Sequence, residues 1–204
     1  MGDVKCILIR HGKTPGNLEK RYIGAKTDES LSDLGKEELA ALRSKMTLSG
    51  NSSQTLFYSG SMKRCTETMG ILFPEQNYEI LPDLTEIDFG DFEGLNYSEL
   101  SDNPDYQKWI DSNGTMTFPN GEARSEFIER TVKTLTSTIA NATKTLVFVC
   151  HGGNIMAFMS EITGKDYFDF QCEPGNGFVI DLSIQGGYIN GFTSYHRIFD
   201  RVCS

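Results

Sequence analysis

Two of the three histidines in this chain stand in matching contexts. Ile7-Leu8-Ile9-Arg10-His11-Gly12 and Val147-Phe148-Val149-Cys150-His151-Gly152-Gly153 are each an apolar run that ends in His-Gly. Imidazole is the side chain that attacks or transfers protons most readily near neutral pH. Arg10 precedes the first histidine, and Arg64 follows the polar turn Ser59-Gly60-Ser61-Met62-Lys63. A guanidinium forks onto phosphate oxygens with two hydrogen bonds. Glu86 and Asp88 flank Ile87. Side chains alternate along an extended segment, so that only one of these carboxyls faces a given site. Histidine, arginine and a carboxyl group together suit chemistry on an anion. Two histidines also suit zinc, but no His-x-x-x-His spacing and no nearby Asp or Cys ligand set accompanies them.

The elements that must position these groups follow from periodicity. Val4 to Arg10 reads as a buried strand, broken by Gly12, Pro15 and Gly16. Leu34, Leu39, Leu42 and Met46 recur at helical spacing after Ser32, an N-cap residue. Thr55 to Ser59 is a second strand, and Met62 to Phe73 a helix stopped by Pro74. Ile80 to Glu86 reads as short and extended, and leads into the glycine loop Phe89 to Gly94. Residues 96–121 hold Pro104, Gly114, Pro119 and Gly121 around short helical pieces, the pattern of a lid-like insertion. Trp109, Phe118, Tyr106 and Phe92 serve there either to line a substrate or to pack the insertion. Glu122 to Asn141 is an amphipathic helix, Thr145 to Cys150 a third strand, and Asn154 to Ile162 a helix. Two strand-like runs, 177–184 and 188–196, close the chain. Alternating strands and helices predict an α/β fold, three-layer α/β/α with a mostly parallel central sheet, in one domain over 1–204.

Strand ends explain why the histidines matter. In an open α/β sheet, ligands bind beyond the carboxyl ends of the strands. Two parallel strands that end alike place both imidazoles at one site. The glycines let backbone approach a ligand, and a helix that starts after each loop turns N–H donors toward an anion.

The 204 residues carry 19 basic and 28 acidic side chains, a net charge of −9, which argues against nucleic acid as a partner. No apolar run approaches the length of a membrane span, and Lys5 and Arg10 come too early for a secretory signal. Five cysteines with no CxxC read as reduced thiols, so the expected compartment is cytoplasmic. The two terminal strand runs leave an edge open for pairing into a homodimer.

Several blocks now resemble a known family, the histidine phosphatase (phosphoglycerate mutase-like) superfamily. Arg10-His11-Gly12-Lys13-Thr14 with Asn17 is similar to its RHGxTxxN signature. Tyr22-Ile23-Gly24 and Leu31 to Gly35 resemble the segment that follows. Ser59 to Thr68 is similar to its SSxLxRAxQT block, with Gly60, Met62 and Cys65 in place of the usual Ser, Leu and Ala. Leu84 to Gly94 and Val149 to Gly153 resemble two more blocks, all in the family's order. Pro119-Asn120-Gly121-Glu122-Ala123 resembles the PxGES turn of the α-ribazole phosphatase-like and broad-specificity branch, with Ala123 in place of Ser.

The resemblance implies a metal-independent phosphatase that needs no cofactor and acts on a small phosphorylated metabolite, α-ribazole phosphate among the candidates. It implies His11 as the phosphorylated nucleophile, Arg10, Arg64 and His151 around the phosphoryl oxygens, and Glu86 as acid and base, with Asp88 as the fallback. Asn17, Thr14, Gly24 and Gly152 are expected to contact the substrate. A phosphoglycerate mutase is the alternative reading. Such an enzyme needs extra basic groups, and Tyr97 to Phe118 holds only Lys108. A non-catalytic phosphate-binding module is a third reading, disfavoured by the intact His, Arg and Glu set. Cys65 and Cys150 are expected as buried small hydrophobes rather than redox-sensitive thiols. His196 is assigned no role.

Overall fold

Thr145–Cys150 is apolar along almost its whole length because both of its faces are covered, as in the centre of a parallel sheet. This strand, β4, sits between β1 (Gly2–Arg10) and β2 (Thr55–Gly60). The computed structural model describes residues 2–45, 55–140 and 142–199. The sheet has six strands in the order β3-β2-β4-β1-β5-β6, where β3 is Tyr78–Leu81, β5 Gly177–Gln185 and β6 Tyr188–Arg197. The pairs β1–β4, β2–β4 and β2–β3 are parallel, and β1–β5 and β5–β6 are antiparallel.

Side-chain alternation splits the core between two faces. On one face Leu146, Phe148 and Cys150 of β4 meet Leu135 and Ile139 of α6 (Arg124–Ile139). Ile155, Phe158 and Met159 of α7 (Gly152–Thr163) join them. On the other face Val147 and Val149 meet Leu39 of α2 (Asp33–Arg43) and Cys65, Met69 and Leu72 of α3 (Lys63–Leu72). Three layers result, with a mostly parallel sheet, as the alternation of elements predicts.

The register of β1 on β4 is the feature that builds the site. Arg10 lies opposite Cys150, so His11 and His151 leave the sheet side by side at its carboxyl edge. The backbone N–H of His11 donates to the Cys150 carbonyl at 2.9 Å, which ties the two strand ends together.

Several boundaries differ from the sequence reading. Pro15 and Gly16 do not merely break a strand. Pro15–Leu18 forms the short helix α1, with proline at its first position and Thr14 as its cap. Leu34 is exposed, so the buried stripe of α2 rests on Leu39 and Leu42, and Met46 lies outside the described residues. Helix α7 starts two residues early, at Gly152, with His151 as its N-cap. Strand β3 ends at Leu81, and residues 82–89 leave the sheet to carry Glu86 toward α7. In the insertion, Leu100 of α4 (Tyr97–Leu100), Tyr106 of α5 (Pro104–Asp111) and Phe118 beyond them pack with Phe92 and Phe127. Trp109 stacks on Tyr106 at 6.0 Å, so these aromatic residues pack against one another. Among the described residues no helix is long and apolar enough to cross a membrane.

Candidate active site

His11 and His151 face each other edge to face, with ring centroids 5.1 Å apart. Both are buried. The His11 Nδ1 lies 2.7 Å from the carbonyl oxygen of Gly12. A carbonyl only accepts, so Nδ1 carries the proton and Nε2 is left with a free lone pair. Burial, reinforced by Arg64 and Arg10, holds the His11 imidazole well below its ordinary pKa of 6.5. Burial and the charges of Arg64, His11, Arg10 and Arg130 do the same for His151. Two neutral imidazoles thus stand beside two guanidinium groups.

Arg64 is fully buried on the first turn of α3. Its Nε donates to His151 Nδ1 at 3.2 Å, Nη1 to the Thr27 carbonyl at 2.7 Å, and Nη2 to the Gly24 carbonyl at 3.1 Å. Arg10 Nη1 donates to the Cys172 carbonyl at 2.7 Å, while its buried Nε has no partner. Among the described residues neither arginine pairs with a carboxylate. A cation at such a site, held only by carbonyls or by carbonyls and a neutral imidazole, is incompletely compensated, and an anion would complete it. The same charges oppose a metal ion between the histidines. Among the described residues no three His, Cys, Asp or Glu side chains converge in a metal-binding group.

Glu86 faces this site and Asp88 does not. The Glu86 carboxylate accepts from the Ile87 N–H at 3.0 Å and from the Gly153 N–H at 3.1 Å. Asp88 closes the turn to Gly90 N–H at 2.8 Å and pairs with Lys26 at 3.0 Å. The alternation across Ile87 separates the two, as expected.

The four expected contact residues divide between scaffold and site. Thr14 and Asn17 cap α1 reciprocally, each side-chain oxygen accepting the other's backbone N–H at 3.2 Å. Asn17 also lines a cleft of about 370 Å³ that opens on Arg10, with Lys13, Lys20, Arg21 and Glu173 around it. Gly24 holds Arg64 through its carbonyl. It must be glycine because a Cβ there would lie 2.3 Å from the Ile87 carbonyl oxygen. Gly152 begins α7, and a Cβ on it would stand 3.4 Å from the unpartnered Arg10 Nε. The first N–H groups of a helix have no intrahelical partner, so Gly152 presents one beside Arg10. The Gly12 N–H is already committed to Thr68 Oγ1 at 2.9 Å.

A family model described as the histidine phosphatase superfamily, branch 1, matches residues 6–190. The chain belongs to this superfamily. Phosphoserine phosphatase 1 of Hydrogenobacter thermophilus is 26% identical over 188 residues, covering 88% of this chain and 87% of that protein. A 2,3-bisphosphoglycerate-dependent phosphoglycerate mutase of Lachnoclostridium phytofermentans is 23% identical over 225 residues, covering 92% and 90%. A solved structure described as an alpha-ribazole-5'-P phosphatase of Escherichia coli superposes with a TM-score of 0.77. It is 20% identical and covers 95% of this chain and 96% of that one. The likeness in structure shows the phosphoglycerate mutase-like α/β fold.

Two supports of the site in this histidine phosphatase were not visible in the sequence. Arg130 of α6 pairs with Glu122 at 2.6 Å and donates to the carbonyls of Asp83, Thr85 and Glu86, clamping the segment that carries Glu86. Asn154 reaches the Thr85 carbonyl and Thr131 Oγ1, both at 3.0 Å, from the other side. The PxGES-like turn pointed to Glu122, but nothing in the pattern of α6 marked Arg130.

Gly153 fixes the last distance. A Cβ on it would lie 2.1 Å from Glu86 Oε1 and 2.8 Å from the Phe127 ring. Gly153→Ala is therefore expected to push Glu86 aside and lower kcat on an alkyl phosphate by about a hundredfold. The unfolding midpoint, measured beside the rate, separates this displacement from loss of fold.

The buried histidines also set a pH dependence of stability. Their folded-state pKa values lie below that of the unfolded chain, so as pH falls the unfolded chain takes up protons first. Their contribution to stability is intact above the ordinary imidazole value and is lost as pH falls below it. The thermal midpoint is expected to drop between pH 7 and 5, less steeply in His151→Gln. A variant slope equal to that of wild type would remove His151 from this linkage.

Proposed function

We propose that this chain hydrolyses a small phosphomonoester through a phosphohistidine on His11, without a metal ion. The observation that carries the reading is a neutral His11, its Nδ1 proton committed to Gly12, beside buried Arg64 with no carboxylate partner. His11 Nε2 attacks phosphorus, a P–N bond forms, and the bond to the ester oxygen breaks. Arg10 and Arg64 hold the charge on the phosphoryl oxygens, and His151 accepts the Arg64 Nε–H and orients that guanidinium. Glu86, entering the step in its protonated form, gives that proton to the leaving alkoxide, and the carboxylate left behind takes one from the water that attacks the phosphohistidine as the P–N bond breaks. Phosphate and free His11 are restored.

One observation favours water over a sugar acid as the acceptor. The one cation between Tyr97 and Phe118, Lys108, is tied to Asp105 at 2.8 Å. Around the cleft at Arg10, Lys13 is paired with Glu38 and Arg21 with Glu19 and Glu99, so among the described residues Arg10 and Lys20 are left to meet an anionic metabolite, with α-ribazole phosphate and phosphoserine as the first candidates.

The test is phosphate release from a panel of phosphorylated metabolites in EDTA, with and without 3-phosphoglycerate as acceptor. Free phosphate at an undiminished rate is expected. Activity that vanishes in EDTA and returns only with a divalent ion would overturn the metal-independent mechanism. Phosphoryl transfer to 3-phosphoglycerate in preference to water would establish the mutase.

A further inference from the structure

Two of the four departures from the SSxLxRAxQT pattern, at residues 60, 62, 65 and 67, meet at one atom. The Cys65 Sγ lies 3.4 Å from His151 Nε2, and both side chains are fully buried. A Cβ on residue 60 would lie 3.5 Å from that sulfur and 3.6 Å from the same Nε2. It would also come within 2.5 Å of the Leu84 carbonyl oxygen. Glycine at 60 thus leaves the wall behind His151 without a side chain, and the thiol at 65 fills it.

The opposite edge of the ring fixes its proton. A guanidinium only donates, so the 3.2 Å contact from Arg64 Nε makes His151 Nδ1 an acceptor. A neutral imidazole has one ring proton, which must then sit on Nε2 and point at Cys65 Sγ. The Cys65 thiol is pushed up to about 12, chiefly by burial, so it stays neutral and protonated. We propose that Cys65 is a positioning residue for His151, its sulfur accepting the Nε2 proton and keeping Nδ1 the bare acceptor that orients the Arg64 guanidinium at the site. Without that acceptor, the ring can move its proton to Nδ1, where it would oppose the Arg64 N–H. The kinetic consequence rests on the hydrolase reading above, whereas the tautomer itself does not.

The test uses the full chain with ¹⁵N-labelled histidine. Only three histidines contribute signals, and His11→Ala and His196→Ala assign them. In wild type the His151 signals should show Nε2 protonated and Nδ1 bare. Cys65→Ser, which keeps an acceptor, should hold that tautomer and the wild-type kcat/KM on an aryl phosphate. Cys65→Ala should gain the Nδ1–H tautomer and lose roughly two- to tenfold in kcat/KM, the range of one neutral hydrogen bond. A wild-type His151 protonated on Nδ1 overturns the proposal, even if the alanine variant fails to fold. So do equal rate losses in Cys65→Ala and Cys65→Ser, which would mark a packing effect. A wild type that binds vanadate but releases no phosphate would sink the hydrolase reading instead, and the tautomer would still decide Cys65.

Discussion

His11→Ala is expected to lower phosphate release by about four orders of magnitude or more, the scale of losing a nucleophile from a working constellation. The expectation comes from the distribution of protons at the site. The Gly12 carbonyl takes the Nδ1 proton, burial and two guanidinium groups disfavour a second, and Nε2 is left as the one free lone pair on the ring. Alanine removes that lone pair and leaves Arg10, Arg64 and His151 in place, so anion binding should survive the loss of turnover. Vanadate binding measured beside phosphate release therefore separates the two roles. Brief incubation of wild type with substrate and quenching in base should trap an acid-labile phosphoprotein that the variant lacks. A variant with the wild-type rate would take the nucleophile role from His11.

The sequence spoke clearly where a periodic pattern and a rare residue coincide. The strands before His11 and His151 are apolar on both faces because each is buried on both, so their ends could be placed to the residue. What alternation could not supply was register. That β1 and β4 are neighbours, with Arg10 opposite Cys150, depends on a sheet order that separates β1 from β2 and β3 from β4. The supports of Glu86 were hidden for a related reason. Arg130 lies 44 residues from the carbonyl it holds, and Asn154 69 residues from Thr85. Neither belongs to a local pattern. Gly152 and Gly153 misled in the other direction: glycine pairs read as loop, yet here they form the first turn of α7. The close approach of Glu86 is what demands glycine at 153, whereas a Cβ at 152 would meet Arg10 at an ordinary 3.4 Å. Cys65 was legible as buried, but its contact with His151 was not, because the ring and the thiol come from strands and helices far apart in the chain.

Glu86→Gln should separate leaving groups rather than merely slow the enzyme. An alkoxide leaves as a strong base and needs a proton in the transition state, whereas an aryl oxide departs without one. Loss of a general acid costs about 10²- to 10⁴-fold where the proton is needed, so that loss is expected on an alkyl phosphate. In kcat/KM, which reads only the step that forms the phosphohistidine, the loss on an aryl phosphate should be about tenfold or less, while kcat falls for both substrates where the second step, in which the same residue activates water, becomes limiting. Glutamine preserves the shape of the side chain but only one of its two acceptors. Glu86 now accepts from both the Ile87 and Gly153 N–H groups, so one buried donor loses its partner. That costs about 1–3 kcal/mol of stability, which an unfolding curve reads independently of rate. Asp88 cannot take over, since it is bound in its own turn and to Lys26. If the two substrates lose kcat/KM equally, Glu86 does not deliver the proton. The carboxylate beside Gly153 would then be a structural anchor for the start of α7.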